Sequence, residues 1–321
     1  MKKPLIILTG PTAVGKTELS VKLAKAINGE IISADSIQVY KYMDIGSAKV
    51  TQEEMDGVKH YLIDELDPAE EFNIFYFKEK AKKYMDEILQ KGKIPIIAGG
   101  TGFYIQSLLY DIEFTEEEDN TEIREELTKI YEENGAHFLH EMLREIDSES
   151  ADNIHENNVK RVIRAIEYYR LTGKKISEHN KTERQKESPY SFRYYCLNMD
   201  RSKLYERINL RVDIMKDAGL VEEVKKLLDM GYDKSLVSMQ GIGYKEIVSA
   251  LNGEMTMEEA YELIKKETRN FAKRQLTWFR REKNVSMINY EEFQFDKNII
   301  LDYLVNDIKE NILDCEENHN E

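Results

Sequence analysis

The sequence predicts an α/β fold: a P-loop-containing parallel sheet core with helices on both faces and an inserted helical lobe. Three observations carry this. Residues 10–17 spell G-x-x-x-x-G-K-T between an apolar run and an amphipathic segment. Strand-like and helix-like segments then alternate to about residue 110, as parallel strands joined by crossover helices do. From about 115 to 200 the apolar spacing becomes helical. The core is placed at residues 1–114 and 190–321, with its last part helical, and the lobe at 115–189.

The elements follow in order. "PLIILTG" is a buried parallel strand ending in glycine. "KTELSVKLAKAING" spaces Leu19, Leu23, Ala24 and Ile27 as one helix face and stops at Asn28-Gly29. "EIISADS" is a second strand ending at Asp35, and "HYLID" a possible third, ended by Asp67-Pro68. "NIFYFKEKAKKYMDEILQKG" is an amphipathic helix with Asn73 as N-cap and Gly92 as stop. "KIPIIAGGTG" is a strand into a glycine turn, and "FYIQSLL" opens a helix. In the lobe, "TEIREELTKIYEENG", "AHFLHEMLREID" and "NNVKRVIRAIEYYRLTG" read as three helices. "SPYSFRYYCLNMD" returns to the sheet as a strand. After Ser202, an N-cap candidate, two helices each end in glycine. Thr256 and Glu259 have capping-box spacing before a long basic helix over 257–283. The tail "DCEENHNE" is expected to fray.

Composition narrows the function. The 321-residue chain has a net charge of −15, which argues weakly against nucleic acid. The distribution argues the other way. Residues 157–187 carry 9 bases against 4 acids and 265–283 carry 8 against 2, whereas 111–133 carry 11 acids against 2 bases. A phosphate backbone senses local sign, although most charge runs are solvated helix faces. No 18-residue apolar run predicts a membrane span. "MKKPLIILTG" runs into the glycine loop without a cleavage site, so it reads as a strand and not a leader. Cys196 and Cys315 stand far apart, which points to a reducing, cytoplasmic setting, and neither they nor the six histidines have zinc spacing.

The loop chemistry starts from Gly10, Pro11, Thr12, Ala13, Val14, Gly15, Lys16 and Thr17. Glycines let backbone N–H groups turn toward phosphate oxygens, and the following helix adds its positive end. Lys16 adds charge, and Thr17 offers a hydroxyl to Mg²⁺. Such loops most often serve phosphoryl transfer on a nucleotide. Asp35 ends a strand at the sheet edge that faces ligands. It fits a proton acceptor, and equally a Mg²⁺ ligand. Ser36, Ile37 and Gln38 follow it. In "AGGTGFY", Gly99, Gly100 and Gly102 permit close backbone approach, and Thr101 is either a helix cap or a site hydroxyl. Arg207 and Arg211 share a helix face; a surface pair with Glu206 or Asp213 is the simpler reading. Lys160, Arg161 and Arg164 cluster on one helix. Arg269, Lys273, Arg274, Arg280 and Arg281 interleave with Phe271, Trp278 and Phe279, which suits phosphate tracking and base stacking; Trp278 is expected to pack inward.

Together "GPTAVGKTELS", "ADSIQVYKYMDIGSAK", "AGGTGFY", "NNVKRVIRAIEYYRLTGKKIS", "RINLRVDIMKDAGLVEEV", "QGIGYKE" and "TRNFAKRQLTWFRR" resemble the tRNA dimethylallyltransferase family of isopentenyl-diphosphate-type tRNA prenyltransferases. The segments span nearly the whole chain in the family's order. The resemblance implies that the loop, residues 10–17, holds the diphosphate of dimethylallyl diphosphate, with Mg²⁺ at Thr17. It implies that the prenyl group passes to N6 of adenosine 37, beside the tRNA anticodon. Asp35 matches the family's base, Thr101 the threonine that positions the amine, and Arg211 the arginine facing the diphosphate. Asp35, Ser36, Ile37, Gln38, Thr101, Arg124, Lys160, Arg161, Arg164, Lys273, Arg274, Gln275 and Arg280 are the implied tRNA contacts, around an anticodon stem-loop whose adenine is turned out. A cytoplasmic, bacterial-type monomer is expected, since no zinc-finger extension follows. Two positions depart from the pattern. "S-A-K-V" at 47–50 replaces T-A-K-P, which removes a proline's constraint, and Glu156 in "HENN" replaces a proline beside the basic cluster. The rivals are an adenylate prenyltransferase, which would not need the basic stretches; a small-molecule kinase, which leaves "RQLTWFRR" unexplained; and an RNA-binding protein without catalysis, which has no use for Lys16, Thr17 and Asp35.

Overall fold

The computed structural model describes residues 2–112 and 121–313. The acidic tail with Cys315, and part of the acidic stretch after residue 111, lie outside the described residues. Six strands, β1 (Lys3–Thr9), β2 (Gly29–Ala34), β3 (His60–Tyr61), β4 (Ile94–Gly99), β5 (Tyr190–Asn198) and β6 (Val285–Asn289), form one parallel sheet in the order β3-β2-β4-β1-β5-β6. Between β1 and β2 runs α1 (Lys16–Ala26), between β2 and β3 the short α2 (Gln52–Met55), and between β3 and β4 α3 (Ile74–Gln90). After β4 come α4 (Gly102–Leu109), α5 (Thr121–Ile146), α6 (Ser148–Asn153), α7 (Val159–Thr172) and α8 (Ile176–Gln185). Between β5 and β6 lie α9 (Arg201–Asp217), α10 (Leu220–Asp229), α11 (Tyr244–Leu251) and α12 (Met257–Phe279); α13 (Lys297–Ile308) follows β6.

β1 sits between β4 and β5, so both of its faces need cover, and a continuous apolar run supplies it. Ile6 and Leu8 join Ile31, Ile96, Tyr195 and Leu197 in a cluster with α1 and α13. The alternate residues Ile7, Ile32 and Ile97 are equally buried, and α3 packs on β2 and β4. Asn73 caps α3 through the Phe75 and Tyr76 amides, and Thr256 with Glu259 forms the expected capping box. Four other readings are corrected. Asp200, not Ser202, caps α9, because the helix already begins at Arg201 and the Asp200 carboxylate accepts from the Ser202 and Lys203 amides. The basic helix ends at Phe279, not residue 283, and the chain turns at once into β6, which pairs with β5. The "HYLID" strand shrinks to His60–Tyr61, since Leu62 adopts a positive φ of 59°. β2 closes at Ala34, leaving Asp35 as the first residue beyond the sheet.

Contacts divide the chain into two units, residues 1–109 with 189–321, and residues 110–188. The second unit has its own core, in which Leu127, Leu139, Leu143, Val162 and Ile166 join α5 to α7. Gly135, expected to end a helix, breaks the helical dihedrals inside α5 with φ 84°, and the helix resumes directly. Two helices in this unit were not expected, α6 and α8. Asp147 explains both: it caps α6 through Ser150 N (3.0 Å) and accepts from the amide and hydroxyl of Ser177 in α8 (3.0 and 2.8 Å).

The strand ends that carry the glycine turns are tightly spaced. Gly99 lies in register with Ala34 and Thr9, and a Cβ built on it would sit 2.3 Å from the Ala34 carbonyl oxygen. Gly99→Ala should therefore push β2 and β4 apart and destabilise the fold by about 1–3 kcal/mol, the usual cost of overpacking. A urea titration would show a lower midpoint with the slope unchanged; an unmoved midpoint would mean that the strand ends separate freely.

Candidate phosphate and acceptor site

Both glycine turns open at the C-terminal ends of β1 and β4. They border a cavity of about 780 Å³ lined by Lys16, Thr17, Asp35, Arg207, Arg211 and Phe271 among others. The first turn needs left-handed backbone at Ala13 (φ 63°) and Gly15 (φ 103°), and α1 starts directly after it. Its amides are not all available. Pro11 has no N–H, and the Thr12 N–H is taken by Gln275 Oε1 (2.9 Å). Val14 turns its side chain into the core. Lys16 Nζ folds back onto the Gly10 and Pro11 carbonyl oxygens, at 2.9 and 2.8 Å. Burial and the nearby Arg211 charge, partly opposed by Asp35, together lower its pKa to about 8. Thr17 is exposed at the helix start and lines the cavity.

Two arginines of α9 reach the cavity. Arg207 donates from Nε to the Ala13 carbonyl at 2.8 Å, bracing the turn where it is left-handed. The surface pairing favoured for this residue from sequence is thus replaced by a contact across 194 positions. Arg211 donates to the Ala48 carbonyl at 3.3 Å, and burial depresses its pKa while Asp35 opposes. Neither arginine needed a surface carboxylate.

Asp35 is half-buried, and one carboxylate oxygen accepts from the Ile37 and Gln38 amides, at 2.9 and 3.3 Å. This Asx-type turn fixes the carboxylate's direction at the sheet edge. Gln38 in turn donates to the Ser47 and Ala48 carbonyls. The loop at 47–50, where a proline constraint is missing, is held by Lys49. Its buried ammonium donates to the Tyr40 carbonyl (2.7 Å) and pairs with Asp44 and Asp64 (2.6 and 2.5 Å). Thr101 N–H donates to the Ala34 carbonyl at 3.1 Å, placing its half-buried side chain beside the Asp35 turn. Its carbonyl accepts the first amides of α4, and no hydrogen bond among the described residues engages its hydroxyl, so the cap reading does not account for that group.

The remaining candidates sort by engagement. Gln275 is buried, and its amide bridges Thr12 N and the Gly100 carbonyl (2.9 and 3.0 Å), so it joins the two turns. Trp278 packs inward against Gly102 and Phe103. Lys273, Arg274 and Arg280 are exposed on or just beyond α12, with Arg274 over the Phe271 ring at 5.8 Å. In the helical unit Lys160 and Arg161 are exposed. Arg124 and Arg164 both pair with the buried Glu167, at 2.7 and 2.8 Å, which neutralises part of their charge. Glu156 lies 3.1 Å from His137 Nδ1. Ser36 and Ile37 are half-buried behind Asp35. Sequence reasoning did not single out Glu223, whose carboxylate accepts from the Asp44, Ile45 and Gly46 amides.

The arrangement suits a ligand with a compact polyanion at one end and an acceptor that gives up a proton at the other. A model of the family described as IPP transferase matches residues 38–282. The chain is 58% identical over 298 residues to a tRNA dimethylallyltransferase of Lachnoclostridium phytofermentans, covering 93% of this chain and 95% of that protein. It is 55% identical over 313 residues to one of Clostridioides difficile, covering 96% and 100%. Among solved structures it resembles the full-length tRNA isopentenylpyrophosphate transferase of Bacillus halodurans (TM-score 0.74, 42% identity, 100% of both chains). It also resembles a eukaryotic dimethylallyltransferase captured acting on tRNA (TM-score 0.77, 30% identity, 89% of this chain and 74% of that one).

Because Gln275 is buried between two backbone groups, Gln275→Leu should act through stability. Leaving the Thr12 N–H and the Gly100 carbonyl unpaired costs about 1–3 kcal/mol each. Thermal unfolding should drop by several degrees; a variant of wild-type stability with weakened RNA binding would return Gln275 to the role of an RNA contact.

Proposed function

Since the chain belongs to the IPP transferase family of tRNA dimethylallyltransferases, we propose that it transfers a dimethylallyl group from dimethylallyl diphosphate to N6 of adenosine 37 in tRNA, releasing diphosphate. The observation that carries this reading is the meeting, in one cavity, of Lys16, Arg207 and Arg211 with Asp35, a carboxylate oriented by two backbone amides. The three cations and the turn amides of residues 13 and 15–17 suit a diphosphate. As the carbon–oxygen bond of the donor breaks, negative charge gathers on the departing diphosphate, and fixed cations stabilise it. The electron pair of the new bond comes from N6, whose lone pair is delocalised into adenine. Asp35 aims the amine by accepting its N–H and takes the proton as the carbon–nitrogen bond forms. Thr101, beside it, offers a hydroxyl to position the amine or the adjoining RNA backbone.

Mg²⁺ fits this end of the cavity. It takes few protein ligands when phosphates supply the rest, and the Thr17 hydroxyl lines the cavity at the start of α1. There the metal would neutralise the departing diphosphate. For tRNA, the exposed Lys160 and Arg161 of the helical unit and Lys273, Arg274 and Arg280 of the core suit backbone phosphates. Among the described residues no helix is long and apolar enough to cross a membrane.

The deciding experiment is mass spectrometry of nucleosides from unmodified tRNA incubated with the protein, Mg²⁺ and dimethylallyl diphosphate. Prenylated adenosine should appear with that donor and not with ATP. Prenylation of free adenine nucleotides alone, or ATP consumption without prenyl transfer, would replace the proposal. In the same assay Asp35→Ala should lower the single-turnover rate by about 10²–10⁴ while tRNA remains bound; an unchanged rate would remove Asp35 as the base.

Lys16 supplies a pH dependence. With its pKa near 8, it is charged below that pH and neutral above. Affinity for inorganic diphosphate should therefore fall as pH rises from 7 through 8 to 9.5, read by calorimetry. Lys16→Arg, charged throughout, should flatten the profile; a slope surviving in that variant would assign the titration elsewhere.

A further inference from the structure

A second ring of contacts stands behind the loop of residues 44–49, whose Asp44, Ile45, Ser47, Ala48 and Lys49 line the cavity. Glu223, half-buried on α10, accepts from the Asp44 and Ile45 amides with one oxygen (3.0 and 2.7 Å). Its other oxygen accepts from the Gly46 amide (3.0 Å) and the Tyr244 hydroxyl (2.8 Å). Three consecutive amides converging on one carboxylate make a backbone nest filled by a side chain of the same protein. Tyr244 is fully buried and its ring fills the space where Gly46 lacks a side chain: a Cβ there would stand 2.6 Å from the ring. The nest therefore has little freedom to shift.

The far end of this loop meets Arg211. The Ala48 carbonyl accepts from Arg211 (3.3 Å) and from Gln38 (3.2 Å), and Gln38 also reaches the Ser47 carbonyl. Ala48 sits in left-handed backbone, φ 45°, which an alanine rarely adopts unless its neighbours are fixed. Arg211 gains from the loop one neutral acceptor, placed by residues on both sides. Lys49 anchors the loop beyond Ala48, and Glu223 anchors it before.

We propose that Glu223 is a positioning residue for the phosphate end of the site: by holding residues 44–46 it sets the Ala48 carbonyl that orients the Arg211 guanidinium. This rests on the reading that Arg211 faces diphosphate. Glu223 touches no substrate in the proposal. Its carboxylate, not merely its size, is required, because a carboxamide in its place turns an N–H₂ group toward donors whichever way it is flipped.

The test is a double-mutant cycle read by calorimetric titration of inorganic diphosphate with Mg²⁺, using wild type, Glu223→Gln, Arg211→Ala and the double variant. Glu223→Gln should weaken diphosphate about tenfold, the size of one lost charge-assisted hydrogen bond. On the Arg211→Ala background the same change should cost little, since the group it positions is gone. Affinity for tRNA, measured separately, should stay unchanged. Equal losses on both backgrounds, or tRNA affinity falling in step with diphosphate, would overturn the proposal in favour of a general structural role. If Glu223→Gln does not fold, Tyr244→Phe keeps the ring on Gly46 and removes one donor; the same cycle should then give a smaller loss with the same dependence on Arg211, and additivity would refute it. A wild-type protein that fails to bind diphosphate, or an Arg211→Ala variant that binds it normally, would strike the underlying reading of the site and this proposal with it.

Discussion

The carboxamide of Gln275 is the tie on which the geometry of the site depends. Lys16 belongs to the turn after β1 and Thr101 to the turn after β4, and the chain between them folds through two other strands, the first of which leads into Asp35. Gln275 joins the turns by accepting from Thr12 N and donating to the Gly100 carbonyl. Only a side chain with a donor and an acceptor on one planar group can do both; an ionised glutamate of the same shape has no donor. The turn pays for the close approach with glycine: a Cβ on Gly100 would stand 2.2 Å from the amide nitrogen. α12 is in this way a strut of the cavity, in addition to any surface it offers.

Electrostatics then decide what the cavity will accept. Lys16, Arg207 and Arg211 gather beside Asp35 in one cavity, and like charges so placed disfavour one another. Lys16 shows the effect most plainly, its pKa lowered to about 8 by burial and by Arg211. Its partners in this structure are two neutral carbonyl oxygens, and Arg207 and Arg211 likewise hold carbonyls. Neutral acceptors satisfy hydrogen bonds but do not balance charge. A polyanion balances it, so the same residues that make the free site electrostatically strained make it selective for diphosphate over a neutral ligand. Asp35 takes its direction from two backbone amides.

The parts of the site legible in the sequence are those whose chemistry is local. Residues 10–17, Asp35 and Thr101 sit at strand ends, where an apolar run followed by glycine or aspartate already says which way the chain turns. Arg207 and Glu223 were not legible in the same way. Their partners are backbone groups, the Ala13 carbonyl for Arg207 and the amides of residues 44–46 for Glu223, about 180 to 190 positions away, and a backbone partner leaves no mark in the sequence. Sequence could only compare Arg207 with nearby carboxylates, and that comparison favoured the wrong neighbour. The same limit hid β6, whose five residues are too few for a period, and α8, whose polar sequence is held by Asp147 and not by an apolar stripe.

Charge counts mislead for a related reason. Of the cations in residues 157–187 and 265–283, Arg164 pairs with Glu167, Lys265 with Asp213, and Arg269 donates to Asn209 at 2.6 Å. The ion pairs among these offset part of the local positive charge. On α12 the helical period separates the two tasks. Arg269, Ala272, Gln275 and Phe279 turn inward toward α9 and the glycine turns, while Lys266, Lys273 and Arg274 turn to solvent. The inward set closes the cavity and the outward set is available to phosphates. A single helix therefore ties the exposed cations of its outer face to the glycine turns that carry the cavity, so the two are held at one fixed separation. For the tRNA prenyl transfer proposed above, that separation would set how far an RNA backbone on the outer face stands from Asp35 and Thr101.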